Sequence, residues 1–133
     1  MMGQNAMVLV FAPNPAGEQF VLTLSEENKS FAALACSPGE RERLQELGVL
    51  NVIDADIKKK QLGQLPINEF TAVYFFEEAL GPCCELLELI RQWTHGTIYI
   101  ITKNHYPQLI YKALGADFVI RTTSNNHSFL LDK

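Results

Sequence analysis

The sequence has little cysteine, no excess of positive charge and no long apolar run, and each shortage removes a class of protein. Three cysteines, Cys36, Cys83 and Cys84, do not make a disulfide framework, which points to a reduced, cytoplasmic setting. Cys83 and Cys84 are adjacent, so they lack the C-x-x-C spacing through which one metal or one redox pair uses both. No apolar stretch approaches the roughly 20 residues that span a bilayer, and no basic segment precedes a long apolar one. The chain is therefore expected to be soluble, without direct membrane insertion or a signal peptide. Lysine and arginine total 11 against 15 acidic residues, a net charge of -4, which argues against nucleic acid as a partner. The basic run Lys58-Lys59-Lys60 reads as a solvated face, with an anion or partner patch as the alternative. The P-loop, zincin and nucleophile-elbow motifs are all missing, and no Tyr-x-x-x-Lys dehydrogenase pair stands in position, Tyr106 and Lys112 being wrongly spaced.

What is present is a regular alternation of apolar runs and helical patterns over 133 residues, one domain's worth of chain. Residues 7–12 are continuously apolar, as in a strand buried on both faces, and Gly17 to about Glu27 carries Phe20, Val21 and Leu24 on a helical stripe. Phe31 to Cys36 reads as a second strand. Ser37-Pro38-Gly39-Glu40 is a helix start: a cap, a proline at the first helical position, and the glutamate of a capping box. That helix turns Leu44 and Leu47 inward and stops at Gly48, before a third strand over Val49 to Asp54. Residues 57–70 form a shorter crossover in which Ile57, Leu62, Leu65, Ile67 and Phe70 seal one sheet face. A strand over Ala72 to Phe76, a helix over Pro82 to Trp93 and a strand over Thr97 to Thr102 follow. A helix over Pro107 to Leu114 then ends at Gly115, Asp117 to Arg121 is a sixth strand, and the tail holds one more helical turn around Phe129 and Leu130. Strands alternating with helices predict an α/β fold: a doubly wound, parallel six-stranded, Rossmann-like sheet of order 3-2-1-4-5-6 in one domain, residues 1–133.

In such a sheet a ligand lies at the carboxyl ends of the strands, and a glycine-rich first turn lets backbone amides meet a pyrophosphate. Here the G-x-G-x-x-G positions hold Ala12, Asn14 and Gly17, so the third glycine alone survives. Asn14 occupies space that the second glycine leaves open, and Pro13 and Pro15 each remove an amide donor.

The chain resembles the nucleotide-binding domains that regulate potassium channels and transporters, the regulator-of-conductance type. The resemblance rests on the first strand-turn-helix with Gly17 and on Leu44-x-x-Leu47-Gly48-Val49 leading into Val52-Ile53-Asp54-Ala55-Asp56. Phe70-Thr71-Ala72-Val73 and the run Ala113-Leu114-Gly115-Ala116-Asp117-Phe118-Val119-Ile120 complete it. The stretch from Ala33 to Asp56 is equally similar to atypical short-chain dehydrogenases, whose substrate region this chain is too short to contain. The potassium-regulator resemblance implies a nucleotide ligand (NAD(P) or an adenine nucleotide), a homodimer and a membrane transporter as partner. It also implies a binding crevice formed by Ala12, Asn14, Ala16, Gly17, Glu18, Cys36, Ser37, Asp56, Phe76 and Glu77. Cys36 stands where the family places its ribose-binding acid, Asp56 matches the aspartate after the third strand, and Glu77 and Glu78 follow the fourth.

Three functions remain open: a non-catalytic nucleotide-sensing or regulatory domain, a degenerate Rossmann scaffold for dimerisation or protein interaction, and a small NAD(P)-dependent oxidoreductase. The first turn separates them. Sensor and enzyme require the amides of Ala16, Gly17 and Glu18 to stay open to an anion; a scaffold requires Asn14 or Pro15 to fill that space. His105 is the one histidine at the carboxyl rim, with no partner specified by sequence, and a cluster of Tyr106, Tyr111 and Trp93 on the surface would mark an interface.

Overall fold

The continuous apolar runs become the strands of a central sheet because only a sheet covered on both faces can bury them. The computed structural model describes residues 7–62 and 70–122. Its elements are β1 (Met7–Phe11), α1 (Pro15–Glu26), β2 (Phe31–Ala35), α2 (Pro38–Glu46), β3 (Val52–Asp56), β4 (Gln61–Leu62), β5 (Phe70–Phe76), α3 (Leu80–Arg91), β6 (Thr97–Thr102), α4 (Gln108–Ala113) and β7 (Phe118–Arg121). The sheet order is β4-β3-β2-β1-β5-β6-β7. All neighbours run parallel except β3 and β4, which pair antiparallel through Ala55↔Leu62 and Asp56↔Gln61. Without this short hairpin strand, the six parallel strands have the expected order 3-2-1-4-5-6, a Rossmann-like α/β fold.

Two layers of side chains clamp the sheet. On one face Phe20, Val21 and Leu24 of α1 and Leu44 of α2 pack on Val10, Ala33, Tyr74, Phe76 and Ile101. On the other, Leu86, Leu87 and Ile90 of α3 and Tyr111 of α4 pack on Leu9, Phe11, Val73, Phe75, Ile98 and Ile100. Each fully buried Leu, Ile or Phe contributes about 1.5–3 kcal/mol, so these layers carry most of the stability.

Element ends depart from the sequence reading in informative ways. The third strand starts at Val52 rather than Val49, because Val49 closes the end of α2, its N–H donating to Leu44 O. Leu50, apolar but 94% exposed, belongs to neither element. Both capping signals behave as local chemistry demands. Ser37 Oγ accepts from Glu40 N, and Gly48 and Gly115 take positive φ after α2 and α4. The Glu40 carboxylate reaches back to Cys36 N at 2.8 Å, one residue before the Ser37 cap. Trp93, placed on the apolar helix stripe by sequence, lies just beyond α3 and is 58% exposed. Leu65 and Ile67, and Phe129 and Leu130 of the tail, lie outside the described residues.

Candidate functional site

At the switch point between β1 and β5 the strand ends diverge, and a crevice opens beside the start of α1. Two hollows occupy it. One, of about 340 Å³, lies between Asn14, Pro15 and Ala16 and the ends of β5 and β6, with Glu77, Lys103 and Asn104 in its wall. The other, of about 540 Å³, lies over β2 and β3 and includes Cys36, Ser37, Arg41, Asp54, Asp56 and Gln61. Seven of the ten residues assigned to the crevice by sequence line one or the other. Asn14, Ala16, Phe76 and Glu77 line the first and Cys36, Ser37 and Asp56 the second. Ala12 and Gly17 are buried behind the turn, and the Glu18 carboxylate is held by Arg43 of α2, at 3.1 and 3.0 Å.

The turn itself is closed at its centre. Asn14 is the N-cap of α1, and its Oδ1 accepts from Gly17 N at 2.9 Å. The Glu18 N–H donates to Asn14 O, and Pro15 has no N–H to offer. The first-turn amides of Gly17 and Glu18 are thus not open, as a bound anion would require. The rest of the Asn14 side chain ties the helix to the sheet, its Nδ2 donating to Glu77 O at 3.2 Å and Phe76 O at 3.5 Å. Gly17 is indispensable here for packing. A Cβ at this position would stand 2.7 Å from the Cα of Ala12 and 3.2 Å from Phe76 Cβ.

Behind the first hollow, the Glu77 side chain is the hub of a buried polar cluster. It accepts from Thr102 Oγ1 at 2.5 Å, from Asn104 Nδ2 at 2.9 Å and from Tyr111 Oη at 2.6 Å. Tyr111 is fully buried, so it is no interface aromatic, and burial with the Glu77 contact raises its hydroxyl above the ordinary tyrosine range. Sequence spacing contains no signal for this cluster, since Glu77 and Tyr111 are 34 positions apart. In the second hollow Arg41 pairs with Asp54 at 3.2 Å, and Asp56 Oδ1 accepts from Lys59 N, closing a turn. Burial, and secondarily the Glu40 carboxylate, pushes the Cys36 thiol up to about 12, so at neutral pH it is a thiol and no nucleophile. Burial likewise raises Cys83. Among the described residues no group of histidine, cysteine or carboxylate side chains is arranged to hold a metal ion, and no helix is long and apolar enough to cross a membrane.

No protein-family model matches the sequence, and no curated protein does. Solved structures do match its fold. The NAD(P)-binding domain of an exopolyphosphatase-related protein from Archaeoglobus fulgidus superposes with a TM-score of 0.65 at 18% identity, covering 86% of each chain. The TrkA-N domain of the inner membrane protein ybaL from Escherichia coli gives 0.61 at 14% identity over 88% of this chain and 87% of that one. The GsuK channel bound to NAD gives 0.64 at 15% identity, covering 90% of this chain and 22% of the channel chain. The backbone anticipated from the sequence is thus the one observed: this chain shares the Rossmann-like fold of these domains.

Proposed function

We propose that the chain is a single, non-catalytic regulatory domain that senses a nucleotide, NAD(P) or an adenine nucleotide, in a modified Rossmann crevice. The closed turn is not the open one that a preformed site requires, so this reading rests on Asn14 acting as a displaceable cap. Its side-chain carbonyl rests on the Gly17 N–H, at the helix terminus where this fold receives a phosphate oxygen. A phosphate that entered would displace the Gly17 to Asn14 bond and, as Asn14 swings away, its two Nδ2 bonds, each a net loss of about 0.5–1.5 kcal/mol, and gain charge-assisted bonds in exchange. Asn14 is then a built-in placeholder, and its release from the Phe76 and Glu77 carbonyls converts ligand entry into a change at the sheet. The binding residues under this reading are Asn14, Ala16, Gly17, Phe76 and Glu77 on one side and Cys36, Ser37 and Asp56 on the other, with Ala12 and Glu18 shaping the turn.

A non-catalytic role is supported by the engagement of the rim groups with one another, Glu77 with Thr102, Asn104 and Tyr111, and Arg41 with Asp54. Similarity to a channel bound to NAD and to a domain of an inner membrane protein supports a membrane transport protein as the partner, and a cytoplasmic homodimer is part of the same proposal.

The same Asn14 cap favours a second reading, a scaffold without ligand. Thermal-shift measurements with NAD, NADH, NADP, NADPH, AMP, ADP, ATP and cyclic dinucleotides, on the wild-type chain and on Asn14→Gly, separate the two. A ligand at about 100 times its dissociation constant stabilises the fold by about 2.7 kcal/mol. The sensor reading expects a response in the wild type and a stronger one in Asn14→Gly. A flat response in both leaves the scaffold.

A further inference from the structure

We propose that Glu77 couples the two faces of the sheet, so that a change at Asn14 beside α1 passes through this one residue to α4 on the opposite side. The inference rests on the sensor reading for its trigger, a nucleotide that displaces Asn14. The coupling itself belongs to the chain and is tested without ligand.

The packing sets the two ends of this route on opposite sides. α1 belongs to the layer with Phe20 and Leu24, and Tyr111 of α4 to the layer with Leu86 and Ile90. Glu77 follows β5 at the rim between them and meets each side with different atoms. Its carbonyl oxygen accepts from Asn14 Nδ2 at 3.2 Å, and its carboxylate accepts from Tyr111 Oη at 2.6 Å. Its own N–H donates to Ile101 O at 2.9 Å. The two acceptors are a few bonds apart on one residue, so loss of the Asn14 donor relaxes the backbone from which the carboxylate hangs.

On the far side the bonds are linked. Thr102 Oγ1 donates to the Glu77 carboxylate and accepts from Asn104 N at 2.9 Å, while Asn104 Nδ2 donates to the same carboxylate oxygen. Bonds chained in this way polarise one another, so the cluster tightens or loosens as a unit. α4 is the element that responds. It has six residues, too few for a helix to persist alone in water, and its start has no side-chain cap. Tyr111 fastens it to the sheet, with a fully buried ring and a hydroxyl that ends on Glu77. Leu109 of α4 is 77% exposed, so movement of this helix alters the surface that the domain shows.

Native-state amide hydrogen exchange of the full chain tests the coupling. It is read at Ile110, Leu114 and Ala116, whose N–H groups donate to the Pro107 and Tyr111 carbonyls around α4, with Ala33 of β2 as the reference. Asn14→Ser keeps a capping oxygen for Gly17 and removes the Nδ2 donor to the Phe76 and Glu77 carbonyls. It is expected to speed exchange around α4 about fivefold relative to Ala33, the weight of one hydrogen bond. On a Tyr111→Phe background the same substitution should add nothing, because the link to α4 is already cut. Amides around α4 that keep pace with Ala33 in Asn14→Ser overturn the proposal. So does an increase that Tyr111→Phe leaves in full, which routes the effect past Glu77. Asn14→Ser alone decides where Tyr111→Phe fails to fold. Coupling found in a protein that no nucleotide stabilises upholds the proposal and overturns the sensor reading; a nucleotide response with no excess exchange around α4 does the reverse.

Discussion

Asn14 Oδ1 lies 2.9 Å from the Gly17 amide nitrogen, and this one contact caps the first helix from within the chain. The cap and the Nδ2 bonds to Phe76 and Glu77 carbonyls are separable. Asn14→Ala removes both and is expected to lower stability by about 1 kcal/mol. Asn14→Asp keeps a capping oxygen but sets a carboxylate against two carbonyls, so its melting temperature should fall between those of wild type and Asn14→Ala. Thermal unfolding of the three proteins checks the order.

Gly17 holds α1 against β1 by having no side chain. Gly17→Ala forces a methyl group into the Ala12 backbone and should cost about 1–3 kcal/mol. Pairing it with Ala12→Gly removes the Cβ at 2.7 Å but leaves the Cα at the same distance, so rescue should be partial. Denaturant midpoints of the single and double variants measure this. Any ligand response lost in Gly17→Ala must be judged against its stability.

The polar cluster behind the first hollow depends on Glu77. Tyr111→Phe leaves the ring in place and removes one hydrogen bond to Glu77, an expected loss of about 1 kcal/mol. Glu77→Ala abandons the buried Tyr111 and Thr102 hydroxyls together and should cost about 2 kcal/mol or more. Glu77→Gln keeps the shape and an acceptor and should be the milder change. Urea unfolding of each protein gives the ranking.

Alkali should unfold the protein early. The Cys36 thiol has an ordinary value of 9.0 and is raised to about 12 in the fold, and Cys83, Tyr74 and Tyr111 are raised as well, in each case first by burial. The unfolded chain therefore releases protons that the folded chain retains. For Cys36 the stabilisation is complete below pH 9.0 and is lost as pH rises towards about 12. Melting temperature measured against pH should be flat near neutrality and decline from about pH 9. Cys36→Ala should make the decline shallower.

Much of the architecture was readable because strands buried on both faces leave continuous apolar runs. Met7 to Phe11, Phe31 to Ala35 and Thr97 to Thr102 were located to within one residue. The start of β3 departs from the sequence reading for the same reason, since Val49 and Leu50 extend the apolar run although one closes a helix end and the other faces water. The hairpin strand Gln61–Leu62 went unseen, because two residues are too short to show a period.

Local chemistry is legible in the sequence and distant chemistry is not. The capping signal Ser37-Pro38-Gly39-Glu40 and the positive-φ stops at Gly48 and Gly115 depend on neighbours within a turn, so the order of residues is enough to specify them. The closing of the first turn by Asn14 was an open alternative; its bonds to carbonyls 62 and 63 positions away arise once β5 lies beside β1. Glu77 meeting Thr102, Asn104 and Tyr111 likewise exists only after parallel pairing brings remote segments to one rim. Periodicity and caps are short-range properties that the chain carries along its length. The occupancy of a crevice is decided by which remote groups the packed sheet sets within hydrogen-bonding reach.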